Sequence, residues 1–283
     1  MQKKMIPESP DAGSAHSATV TSQDRRSPAP MATSGGLAVD DPLLAYVGGR
    51  LGRDEAIRLL GLHNHAELLA ALGEAGLSLP RPPAYEIEEE AVAFARVLKH
   101  RRASAASERS AAQAGVPSHL IMADSGLLYG LWMAGRLDLL LRLDMPVVIV
   151  DTVYDELTSA AQDHPGGAAV RAFIDRHQPP FIIETTDVGR AERQRHTAGL
   201  AMKHNAVRLA IADFMSSEAG LKRYLVSGDS VFLLADDPGY SIYNKPCHLY
   251  PLSTFSMLLG MEREGRIPSA EAVIRPMTQV GGS

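Results

Sequence analysis

The chain predicts an α/β protein: a three-layer α/β/α domain built on a parallel sheet, preceded by a small all-α domain and a disordered tail. Three observations predict it. From His119 onward, short apolar runs alternate with helix-compatible stretches, the pattern of strands that need helical crossovers. Between Leu37 and Lys99 the runs are amphipathic and are interrupted by glycine. Residues 1–36 are rich in Ser, Ala, Pro and Gly and carry almost no large apolar side chain, so burial cannot offset the entropy of ordering them.

Composition sets the outer limits. The 283 residues, 45% hydrophobic, suffice for a sizeable core. The stretch "LLYGLWMAGRLDLLLRL" is broken by Arg136 and Asp138, so no membrane span is expected. The opening "MQKKMIPESPDAGSAHSATV" has positive charge without the apolar segment of a secretion signal, which predicts a cytoplasmic chain; Met31 is an alternative start. Cys247 is the single cysteine, which excludes internal disulfides and a cysteine-cluster zinc site. A formal net charge of -5 confines any nucleic-acid contact to a local patch.

Residues 37–99 make the helical domain. Ile57, Leu59 and Leu60 belong to a first run that Gly61 ends, and Leu68, Leu69 and Leu72 to a second that Gly76 ends, before "PRPP" closes the unit. Two short helices with a tight turn fit a helix-turn-helix-like unit and equally a generic helical hairpin. A further helix is expected from Glu86 to Lys99, with Ile87, Ala91, Phe94 and Leu98 on one face. Residues 100–118, charged and rich in small side chains, read as a linker.

Residues 119–283 supply the sheet. Its expected strands are Leu120–Ala123, Val147–Val150, Phe181–Glu184, Tyr224–Ser227 and Cys247–Tyr250. Asp124 stands directly behind the first strand, where an α/β sheet presents its ligand site, although it equally suits a helix cap. Glu156 lies in the helix behind the second strand, beyond Asp151 and Asp155, which read as cap and helix-dipole residues. Asp229 follows the expected fourth strand at the start of another helix. If these strands are neighbours, Asp124, Glu156 and Asp229 meet at one edge. Their mutual repulsion then calls for a hard divalent cation such as Mg2+ or Mn2+.

These segments resemble a known family. "IMADSGLLYGLWMAGRLDLL", "MPVVIVDTVYDEL", "LVSGDSVF" and the ending "HLYPLSTFSMLLGMEREGRIPSAEAV" are similar, in order and spacing, to the PIN domains of metal-dependent ribonucleases, including toxins of bacterial toxin-antitoxin pairs. The resemblance implies a PIN-like fold and endoribonuclease activity, with Asp124, Glu156 and Asp229 holding Mg2+ or Mn2+ against an RNA phosphate. It also implies a fourth acid in the helix before the late strand. Arg208 aligns at that position, and Asp213 is the nearby substitute, on the other flank of a stripe made by Val207, Ala210, Ile211 and Phe214. Ser125 and Ser227 either orient a ligand or serve as turn and cap residues. "GRLGRDEAIRLLGLHNHAELLAALGEAGLSLPRPP" is similar to small helix-turn-helix antitoxins, which implies a toxin fused to its own restraining domain.

Substrate contact needs positive charge. Arg190, Arg193, Arg195 and Lys203 stand in a run opposed by Glu192, which fits either an RNA-tracking surface or a solvated helix face. The sequence holds no P-loop, no dinucleotide glycine fingerprint and no GxSxG elbow, and Ser125 and Gly126 occupy the place of the second Asp of a phosphatase DxD. The alternative function is a PIN-like domain without catalysis, acting as a binding or regulatory module; a homodimer is left open.

Overall fold

In a computed structural model of the chain, the described residues are 41–63, 65–106, 119–122, 125–161, 165–198, 206–217, 220–221, 231–236 and 249–278. The tail over residues 1–36 lies outside them, as do Asp124, Lys203, Ser227, Asp229, Cys247 and the expected strand Tyr224–Ser227. From Val39 to Ser283 the chain forms one compact unit.

Four helices lead. α1 (Pro42–Val47) starts where the Asp41 carboxylate accepts from the N–H of Leu43 at 2.9 Å, with Pro42 in the first turn. α2 (Arg53–Leu60) and α3 (His65–Glu74) stop at Gly61 and Gly76, whose φ values of 67° and 66° need a residue without a side chain. α4 (Ala84–Ala106) begins after "PRPP" and continues through residues 100–106, which were expected to be linker. Ala, Arg and Lys through "KHRRASAA" are good helix formers, and nothing in that stretch breaks a helix already nucleated upstream.

The sheet has five strands, β1 (His119–Met122), β2 (Val147–Val150), β3 (Phe181–Glu184), β4 (Val231–Leu234) and β5 (Leu249–Leu252), all parallel in the order β3-β2-β1-β4-β5. Every residue of β2 and β4 is buried, as expected of strands covered on both faces. The β2 and β3 boundaries match the sequence reading. Residues 231–234, expected to lie in a helix beginning at Asp229, instead form β4. A four-residue apolar run carries no period that separates helix from strand, and pairing with both β1 and β5 decides it. β5 lies two residues later than expected and sits at the sheet edge, where Pro251 costs no ladder bond to a further strand.

Parallel strands cannot be joined by tight turns. α5 (Gly126–Met133) and α6 (Asp138–Leu141) carry the chain from β1 to β2, and α7 (Asp151–Ala161) and α8 (Pro165–Arg176) carry it on to β3. α9 (Asp187–Thr197) and α10 (Ala206–Ser216) follow β3, after which the chain returns past β1 to form β4. The strand order therefore reverses between β1 and β4, which makes their carboxyl ends the topological switch point. α11 (Thr254–Arg263) and α12 (Ala270–Ile274) complete the unit. No helix among the described residues is long and apolar enough to cross a membrane.

α4 is packed into this sheet through the face the sequence indicated: Ala91, Phe94 and Leu98 are fully buried. The Phe94 ring meets Phe232 of β4 edge-on at 5.1 Å, and Glu90 accepts from the N–H of Ser253 at 3.0 Å and from the Ser256 hydroxyl at 2.7 Å. Close approach of α4 to α11 depends on Gly260. A methyl group there would stand 2.9 Å from Phe94 Cδ1 and 3.1 Å from the Ala91 carbonyl oxygen. Gly260→Ala should accordingly destabilise the full chain by about 1–3 kcal/mol through overpacking, read as a lower urea midpoint, despite the better helix propensity of alanine.

Candidate active site

The side chains at the switch point begin with Ser125, the residue after Asp124. Ser125 is completely buried and makes no side-chain cap to α5; its hydroxyl donates to Glu156 Oε2 at 2.9 Å. The cap reading of Ser125 is thereby replaced by one in which it orients an acid. α7 leaves β2 without an intervening loop, so Asp151 and Asp155 fall on one flank, and the next residue, Glu156, turns by about 100° toward β1. One turn along α5, the buried Tyr129 phenol has its pKa raised, first by burial and then by the negative charge of Glu156.

Asp151 and Asp155 face α9. Asp151, 3% exposed, accepts from the Thr152 N–H at 3.0 Å, the Thr186 hydroxyl at 2.8 Å, the Thr186 N–H at 3.1 Å and Arg193 Nη2 at 2.8 Å. Arg193 Nη1 donates to Asp155 at 2.9 Å. Gly189 lets the α9 backbone come this close, because a Cβ there would lie 2.2 Å from Asp151 Oδ2. Asp151 thus ties β2 to the start of α9, a tertiary role beyond the cap and helix-dipole reading of its place in α7.

Asp213 serves the same junction: its Oδ2 accepts from the N–H of Asp187 at 3.0 Å. The α10 stripe of Val207, Ala210, Ile211 and Phe214 is buried as expected, and Arg208 on the other flank is half-buried. Among the described residues no three His, Cys, Asp or Glu side chains converge as a metal site requires. Of the four expected acids the structure describes Glu156 and Asp213.

The cations of α9 have intramolecular partners. Arg190 pairs with Asp187, Arg193 with Asp151 and Asp155, and Arg195 with Glu192 at 3.5 Å. The sequence reading set Glu192 alone against this run. Asp187 stands three residues before Arg190, and the acids of α7 arrive only through the tertiary fold.

Sequence reasoning missed Asp236. β1 and β4 pair Met122 with Leu234, so the residue two beyond Leu234, Asp236, has the same offset from the sheet as Asp124 has from Met122. The signal was present as a repeated word, "LIMAD" and "FLLAD". Asp229, expected to follow the fourth strand, precedes β4 in the chain. Asp236 is exposed and accepts from the Thr254 N–H at 2.7 Å and the Thr254 hydroxyl at 2.6 Å.

Asp236 also lines a cavity of about 290 Å³ between the carboxyl ends of β4 and β5 and the helices α1 to α4. His65 of α3 lines it as well, at 3% exposure, with both ring nitrogens lacking a hydrogen-bond partner. Burial, and next the charge of Arg53, push its pKa down to about 3 against the opposing effect of Asp54. The folded state therefore refuses a proton that the unfolded chain takes up near pH 6.5. Stability from this residue is complete above pH 6.5 and declines as pH falls toward 3. Urea unfolding of the wild type should lose about 2 kcal/mol between pH 6.5 and 5 through His65, a loss that His65→Leu should remove.

Compared with known proteins, the chain matches no family model, no curated protein and no solved structure.

Proposed function

We propose that the chain is a metal-dependent endoribonuclease of the PIN class, with α1 to α4 acting as an antitoxin-like restraint. The observation that carries this reading is Glu156, held by the buried Ser125 hydroxyl at the carboxyl end of β1, on the switch point of an all-parallel sheet ordered β3-β2-β1-β4-β5. An acid held there by Ser125, the residue that follows Asp124 in the chain, fits an oxygen-only donor set, which suits Mg2+ or Mn2+. When bound, the metal would lower the pKa of a water and offset charge on the scissile phosphate.

The chain's own groups then have distinct tasks. Asp124 and Glu156 would hold the metal, with the Ser125 hydroxyl fixing the Glu156 carboxylate. Tyr129, kept protonated, adds no charge to the site. Asp229 or Asp236 supplies the third acid, and Asp213 positions α9 through its backbone. α1 to α4 border the edge at β4 and β5, where a restraining segment would limit RNA access.

The second reading, a binding module without catalysis, has its own support: Arg208 stands where the resemblance requires an acid, and Arg193 neutralises Asp151 and Asp155. Cleavage of single-stranded RNA by the full chain, measured together with Mn2+ binding because α1 to α4 would hold the activity down, decides between them. The nuclease should cut with Mn2+ or Mg2+ and not with chelator, and Asp124→Asn or Glu156→Gln should each lower the rate by about a hundredfold or more. Of Asp229→Asn and Asp236→Asn, the one that matches this loss identifies the third ligand. Wild-type inactivity together with absent Mn2+ binding would overturn the nuclease reading, and RNA binding without either would support the module.

A further inference from the structure

α4 carries its charges in two separate halves. Glu86, Glu88, Glu89 and Glu90 stand in the first; from there to Glu108 the sequence has no acid, while Arg96, Lys99, His100, Arg101 and Arg102 fall within seven residues. The fold sends the halves to opposite edges of the sheet. Glu90 accepts from the N–H of Ser253, the residue after β5, at the carboxyl edge. Arg266 Nη2 donates to the Leu98 carbonyl at 2.9 Å and Nη1 to Asp144 at 2.7 Å, three residues before β2 at the amino edge. The basic half therefore lies at the edge opposite the candidate site.

The usual reasons for cations on a helix do not account for this strip. The helix dipole favours positive charge within the last turn, and the last turn of α4, which ends at Ala106, holds none. Acids three or four residues away hold cations in place elsewhere, as Glu55 does for Arg58 at 3.7 Å on α2. Arg96, Lys99, His100 and Arg102, by contrast, are exposed and make no ion pair with a described residue. Arg96, Lys99 and Arg102 recur every three residues, so like charges adjoin along about 9 Å of helix, an arrangement that works against the helix on its own. More positive charge arrives from α6: Arg136 and Arg142 share one acid, Asp138, at 3.2 and 2.6 Å, and Arg142 Nη1 donates to the carbonyl of Arg266 at 3.4 Å. In a chain of formal net charge -5 this surplus is local.

A polyanion answers such a strip, and two features narrow its kind. A helix that lies on a membrane needs an apolar face beside its cations, whereas Ala91, Phe94 and Leu98 are sealed against the sheet. A protein interface is anchored by buried aromatic or apolar side chains, and no large apolar side chain of residues 91–106 is exposed. Charges in line without an apolar anchor suit a phosphate backbone, which is held by charge alone. We propose that the basic half of α4, with Arg142 beside it, is a docking surface for the phosphate backbone of single-stranded RNA, separate from the candidate active site. The choice of RNA over DNA rests on the ribonuclease reading. The α9 cations that the sequence offered for this task are taken up by Asp187, Asp151, Asp155 and Glu192.

The test uses the full chain with chelator present, so that binding is read apart from cleavage. Fluorescence anisotropy with a labelled single-stranded RNA 12-mer at low salt should show binding that the triple substitution Arg96→Gln, Lys99→Gln and Arg102→Gln weakens tenfold or more, with the slope of log affinity against log salt reduced by about 2. A triple with the same charge change elsewhere, Arg50→Gln, Arg58→Gln and Arg176→Gln, should leave the affinity within threefold. All six side chains are exposed, and circular dichroism with urea midpoints checks that both triples fold. In the wild type, the RNA should protect Lys99 from acetylation ahead of the other lysines, a readout that needs no variant. Absence of RNA binding at low salt, equal losses in the two triples or an unprotected Lys99 would each overturn the proposal. Displacement of the RNA by poly-Glu as effectively as by unlabelled RNA would overturn it too, by assigning the surface to acidic protein segments, and tighter binding of a DNA 12-mer of the same sequence would overturn the choice of RNA. RNA cleavage with binding untouched by the α4 triple sinks this proposal alone, and α4-dependent RNA binding without cleavage in Mn2+ sinks the nuclease reading alone.

Discussion

A parallel strand cannot return by a tight turn, and the architecture follows from that constraint. Each of the five strands is entered from the same end, so each needs a crossover long enough to cover a face of the sheet. The same rule gathers the residues that follow each strand at one edge. Ser125, Asp151 and Asp236 come from separate parts of the chain and share that edge because the strands before them run in one direction.

What happens to the acids there depends on local partners. Asp151 is buried with four donors around it, one of them a guanidinium, and so it acts as a strut between β2 and α9. Glu156, five residues further on, receives the hydroxyl of Ser125 and faces β1. Two carboxylates of one helix are thus divided between framework and site by the rotation of that helix and by which donors the neighbouring elements bring.

The architecture was legible because it rests on runs of apolar residues. Val147–Val150 and Phe181–Glu184 matched without adjustment, and the α4 face of Ile87, Ala91, Phe94 and Leu98 could be marked from spacing alone. The strand Val231–Leu234 was missed because "VFLL" is short and apolar, with no period that separates strand from helix. Pairing with β1 and β5 decides it, and that pairing is nonlocal. Glu156 was legible from its place behind β2. Asp236 was missed along with the strand it follows, and His65 gave no signal, since nothing in "LHNHAEL" says that its imidazole is buried. Arg193 looked like a free cation because its partners Asp151 and Asp155 lie about forty residues upstream.

The packing of α4 has a consequence for how the chain is made. Phe94 finds Phe232, and Glu90 finds Ser253 and Ser256, 163 and 166 residues later. Synthesis proceeds from the amino end, so α4 leaves the ribosome with its apolar stripe uncovered and stays so until the strands and helix that receive it have been translated. At about 5–20 residues per second that interval is on the order of ten seconds or more, long on the scale of chain collapse. During it the stripe is a ready surface for chaperones or for other nascent chains, and the sheet closes only near the end of translation.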